Sequence, residues 1–125
     1  MIRFTLFGTP RTKKNSQRIV RAGRYSKILP SAAYAEYAIM CRQSILTQGV
    51  AHLTIQRPVN VKAVYYMPTH RRVDLVNLLE ATDDILVDTG VIADDNSQIV
   101  AGHDWSRVRY DKDNPRVEIE ITEME

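Results

Sequence analysis

One cysteine in the chain, Cys41, leaves no internal disulfide to be made, and its place between Ile39 and Ile45 reads as a buried thiol kept in a reducing compartment. No charged and then apolar leader follows Met1, and no apolar run approaches the roughly 20 residues that a membrane-spanning helix needs, so the sequence reads as soluble and cytoplasmic. Cys and His never cluster at zinc-binding spacing, no glycine-rich phosphate loop is present, and no Ser, His and Asp suggest a hydrolytic triad. Repeats and linkers are missing too, so residues 1–125 are expected to form one domain with one core. The scarcest feature is negative charge in the first half. Residues 1–72 hold 13 Lys or Arg and a single acid, Glu36, whereas residues 73–125 hold 4 Lys or Arg and 14 acids. The net charge of +2 hides this polarity. The two halves either pair through surface ion pairs or divide labour, a basic surface gripping a polyanion and an acidic cluster holding metal ions that act on it.

Periodicity supplies the skeleton. "IRFTLFG", residues 2–8, alternates as a strand and ends at Gly8 and Pro10. The next segment is too polar and punctuated for a helix, with "SQRIV" and "RYSKI" around "RAG" as a short hairpin. Ser31 caps a helix over residues 32–47, in which Tyr34, Tyr37, Ala38, Cys41 and Ile45 recur at helical spacing. "VNVKAVYYM", residues 59–67, alternates again. Residues 76–88 return to helical spacing through Leu78, Leu79, Ile85 and Leu86, with Gly90 as the stop. "SQIVAGHDWSRVRY" and "RVEIEI" read as the last two strands, separated by the turn-rich "DKDNP". The expected fold is α+β, a mixed β-sheet packed with two main helices in the order β-α-β-α-β-β.

The segment 9–30 carries Arg11, Lys13, Lys14, Arg18, Arg21, Arg24 and Lys27 without an acid. A connection this long usually has a job, and together with Arg71 and Arg72 it predicts grip on nucleic-acid phosphates without preference for sequence. Tyr25 is a candidate for base stacking, against a plain packing role. The acidic segment is more specific. "RRVDLVNLLEATDDILVDTGVIADDNSQI", residues 71–99, contains Asp74, Glu80, Asp83, Asp84, Asp88, Asp94 and Asp95. On a helix, Asn77, Glu80 and Asp84 share a stripe, with Asp74 just ahead of it. Asp94 and Asp95 reach that neighbourhood if the chain folds back after Gly90. Carboxylates suit a hard cation such as Mg²⁺. Asp83 and Asp88 read as solvated helix surface, His52 and His70 as surface histidines, and Trp105 as a packing residue. His103 lies near the acidic site in sequence.

The "GTPRTKKNS" loop, the 71–99 segment and the closing "VEIEI" strand together resemble the RusA family of Holliday junction resolvases across essentially the whole chain. Asp74, Asn77, Asp84, Gly90, Asp94 and Asp95 fall on the family signature without a gap. The resemblance implies a dimeric, Mg²⁺-dependent endonuclease of a bacterial or phage-infected cell, acting in DNA recombination or repair by paired nicks in a four-way junction, with Mn²⁺ as an alternative ion. It implies catalytic roles for Asp74 and Asp95, with Asp94 adjacent. Two positions depart from the pattern: Val76 stands where the family has a second aspartate, and Glu80 where it has a lysine. Because these positions are one helical turn apart on one face, Glu80 restores a carboxylate from the next turn. The expected metal ligands are therefore Asp74, Glu80, Asp94 and Asp95, with Asn77, Asp84 and Asp104 orienting them, and Lys13, Lys14 or Arg72 supplying the lost positive charge. The competing readings are a catalytically silent junction-binding protein and a general metal-dependent nuclease.

Overall fold

The computed structural model describes residues 1–13, 18–23, 25–29 and 31–124, with residues 18–22 and 25–29 described by their backbone. In chain order the elements are β1 (Ile2–Phe7), β2 (Arg18–Ala22), β3 (Tyr25–Leu29), α1 (Ala32–Thr47), β4 (Val59–Met67), α2 (Leu75–Asp88), β5 (Val100–Gly102), β6 (Arg107–Tyr110) and β7 (Arg116–Glu123). The α+β expectation holds: a five-stranded mixed sheet carries two helices, and β2 and β3 form the separate hairpin that the "RAG" turn predicts.

The sheet runs β1-β7-β4-β5, with β6 following β5 along the same edge of β4. β7 is antiparallel to both β1 and β4, while β5 and β6 run parallel to β4. Alternation puts Phe4, Leu6, Val61, Ala63, Tyr65, Val117, Ile119 and Ile121 on one face. That face packs against Tyr34, Tyr37, Cys41 and Ile45 of α1 and Leu78, Ala81, Ile85 and Leu86 of α2. Ser31 caps α1, its Oγ accepting from the Tyr34 amide at 3.1 Å. Cys41 is fully buried, and burial pushes its thiol up to about 11. No helix among the described residues is long and apolar enough to cross a membrane.

α2 ends on Thr89, and Gly90 turns the chain at φ +79°. A Cβ there would lie 2.6 Å from the Ala51 carbonyl oxygen, so only glycine fits. Beyond it Val91 and Ile92 are buried, Ile92 bridging in parallel to Ile55.

One element departs from its expectation. The predicted strand over residues 97–110 is two strands, because residues 103–106 leave the ladder. Trp105 adopts φ +71° and the turn is bonded sideways onto β4: Asn60 Oδ1 accepts from the Asp104 amide at 2.8 Å, and Ala63 N donates to Ser106 Oγ at 3.0 Å. These long-range bonds outweigh the strand propensity of the segment.

Candidate active site

Asp74 is the N-cap of α2, one carboxylate oxygen accepting from the Val76 amide at 3.0 Å. The cap and the positive end of the helix dipole fix this carboxylate at the helix mouth. It lines a cleft of about 380 Å³ whose other walls come from the loop after β1, including Arg11, and from the segment after β4, including Arg71 and Arg72. The two basic segments singled out in the sequence thus converge on Asp74, while a second depression, of about 420 Å³, lies away from all of them between Arg3, Lys62, Glu118 and Glu120.

The loop after Gly90 carries Asp94 and Asp95, both exposed. Asp94 Oδ1 accepts from the Asp95 amide at 2.7 Å and Oδ2 from Asn96 Nδ2 at 3.1 Å, which holds the Asp94 carboxyl below its usual range. Asp95 is shifted the other way. Partial desolvation raises it, and so does the negative charge of Asp94, Asp83 and Asp84. The chain has therefore folded back far enough to bring Asp95 into electrostatic range of the second half of α2. Asp84 is held by Lys13, whose Nζ lies 2.9 Å from Oδ2 and 5.6 Å from the Tyr34 ring centroid, tying the basic loop to both helices. Asn77 is half-buried and Glu80 exposed on α2.

Asp83, expected on the solvated surface, is instead buried. His103 reaches it across the sheet edge, with Nε2 2.9 Å from Asp83 Oδ2 and Nδ1 2.9 Å from the Val61 carbonyl oxygen. A carbonyl only accepts, so Nδ1 carries a proton, and donation from Nε2 to a carboxylate makes the ring an imidazolium. Hydrogen bonding to Asp83 accordingly raises His103 above its ordinary value. Among the described residues Asp83 Oδ1, which is buried, has no hydrogen-bond partner. The only hint of this pair in the sequence is the proximity of "HDW" to the acidic segment. Asp104 is exposed, its backbone clasped by Asn60. Trp105, expected to pack, is 73% exposed.

Lys14 and Arg24 lie outside the described residues; for Arg18, Arg21, Tyr25 and Lys27 only the backbone is described. Arg116 is committed elsewhere, bridging Asp111 at 2.8 Å and stacking over Tyr66 at 3.9 Å.

Among the described residues no three His, Cys, Asp or Glu side chains gather closely enough to enclose a metal ion. The donor type nevertheless suits a divalent cation, since Asp94 and Asp95 are adjacent, exposed carboxylates and hard cations take carboxylate oxygens. Mg²⁺ in particular is commonly held by one or two carboxylates together with substrate phosphate, without a closed protein cage.

A family model described as endodeoxyribonuclease RusA matches residues 8–122, nearly the whole chain. No curated protein matches it.

Proposed function

The chain belongs to the RusA endodeoxyribonuclease family, and on that premise we propose that it resolves four-way DNA junctions by paired, metal-dependent nicks, working as a homodimer. The observation that carries this reading is the cleft in which Asp74 meets Arg11, Arg71 and Arg72. A carboxylate alone repels a phosphodiester. Beside three cations it becomes a place where a phosphate is drawn in, its charge balanced, and its scissile bond presented to the acid.

Asp74, Glu80, Asp94 and Asp95 are the carboxylates proposed as ligands for Mg²⁺ or Mn²⁺; because no three of them form a closed cage among the described residues, the ion would be held by one or two of them together with substrate phosphate, and when bound would activate a water for in-line attack and stabilise the leaving oxygen. The chain's own residues do the positioning. The α2 cap orients Asp74, and the Asn96 and backbone contacts orient Asp94. Lys13, anchored to α2 by Asp84, supplies positive charge on the stripe where the family pattern has its lysine. Dimerisation is inferred from the substrate: a junction offers two symmetric strands and one small domain carries one site.

The test is cleavage of a fixed four-way junction and a matched linear duplex, with and without Mg²⁺. Symmetric nicks confined to the junction and dependent on the ion are expected. Equal cutting of both substrates would point to a general nuclease, and binding without cutting to a silent junction protein. Asp74→Asn and Asp95→Asn should each lower cleavage more than about tenfold while junction binding persists. Asparagine caps helices as well as aspartate, so a loss in Asp74→Asn would not come from unfolding.

A further inference from the structure

Trp105 is the only tryptophan in the chain, and it is 73% exposed at a backbone angle of φ +71°. A bulky residue in the left-handed region is strained and persists only where its surroundings over-determine it. Here both flanks are fastened. His103 bonds to the Val61 carbonyl and to Asp83, each at 2.9 Å. Asn60 accepts from the Asp104 amide at 2.8 Å and donates to the Asp104 carbonyl at 3.2 Å. Ser106 donates its amide to the His103 carbonyl at 3.1 Å and accepts from the Ala63 amide at 3.0 Å. A partly buried set of bonds to β4 and α2 thus holds an indole out in solvent.

The adjoining strand is equally unusual. All four residues of β6, Arg107, Val108, Arg109 and Tyr110, are exposed. Tyr110 stacks on His70, with ring centroids 3.9 Å apart and planes at 25°. His70 leads directly into Arg71, Arg72 and Asp74. Alternation sets Arg107 and Arg109 on one face of this edge strand, next to Trp105 in the chain, and Tyr110 on the other, where its stack with His70 adjoins the segment that lines the Asp74 cleft. Asp104 is exposed within the turn, and Asp111, just past the strand, is neutralised by Arg116.

We propose that Trp105 is a stacking platform for a nucleobase of branched DNA, with Arg107 and Arg109 on the flanking phosphates, and that it sets the preference for a junction over continuous duplex. The proposal rests on the nuclease reading. Aromatic side chains stack on any base whose face is free, and guanidiniums beside them neutralise the backbone. Inside a duplex each face is covered by its neighbour, whereas the branch point of a junction exposes the ends of its arms. A second copy of this chain is the poorer occupant, because two β6 edges meeting each other would set Arg107 and Arg109 against like charges.

The single tryptophan makes the test direct. Its emission is followed while unlabelled four-way junction is added, and binding is measured in parallel by the anisotropy of end-labelled junction and duplex. Quenching that saturates with junction binding is expected. Trp105→Gly removes the ring and relieves the strained angle, so it folds at least as well as the parent, yet should bind the junction about tenfold more weakly with a smaller loss on duplex. Trp105→Tyr should recover most of that loss. Junction binding with unchanged emission, or Trp105→Gly with undiminished junction preference, would overturn the platform while leaving the nuclease reading intact. An emission shift that depends on protein concentration without DNA would reassign the indole to a contact between copies. No binding to either DNA would remove both readings.

Discussion

At the scale of single residues, the Asp83–His103 pair has the clearest energetic signature. Removing the imidazole strands a buried carboxylate whose other oxygen has no partner among the described residues, so His103→Ala should cost about 3 kcal/mol, read from urea unfolding. The pair also has a defined pH dependence. His103 is raised above 6.5 in the folded state, so its contribution is fully present below that value and drains away as pH rises through the folded pKa. The stability gap between the parent and His103→Asn should therefore be widest below pH 6.5 and narrow as the pH rises above it. A gap that stays constant with pH would contradict an imidazolium. For the proposed chemistry, Glu80→Gln should raise the Mg²⁺ concentration needed for junction cleavage; superimposable titrations would remove Glu80 from the site. Local signals such as the Ser31 cap, the buried Cys41 and the place of Asp74 just ahead of α2 could be read directly, because each depends on neighbours within one helical turn. Asp83 could not: its burial is imposed by a histidine 20 positions away across the sheet edge.

At the scale of elements, alternation and helical spacing located β1, β4, β7 and both helices because each buries one face against a common core. The strand over residues 97–110 was over-extended for the opposite reason. Its ladder is interrupted by side-chain bonds from Asn60 and Ser106, and nothing in the local sequence announces those partners. The acidic residues of α2 were legible, but the return of the chain that brings Asp95 within electrostatic range of Asp83 and Asp84 depends on the turn at Gly90. Gly90→Ala would combine a left-handed alanine with a Cβ 2.6 Å from the Ala51 oxygen. It should destabilise by at least about 2 kcal/mol, measured by denaturant midpoint. Cleavage should fall with it even at temperatures where the protein stays folded, because Asp94 and Asp95 come after that turn.

At the scale of the whole molecule, the split of charge along the chain becomes a juxtaposition in space, since Arg11, Arg71 and Arg72 gather around Asp74. Replacing Arg71 and Arg72 with glutamine should weaken binding to junction and duplex alike and flatten the salt dependence by roughly one unit of slope per lost phosphate contact. Unchanged slopes would place the DNA elsewhere. The strand order carries a different consequence, one for synthesis. In the described sheet β1 meets the other strands only through β7, with Ile2 opposite Ile121. β1 must therefore wait for a partner made more than a hundred residues after it, on the order of ten seconds at ordinary elongation rates. During that interval an apolar strand stands with both edges bare, a target for nascent-chain chaperones. Ribosome-bound chains halted before residues 116–123 emerge should accordingly be protease-sensitive throughout, gaining resistance in one step once that strand is free to slot between β1 and β4.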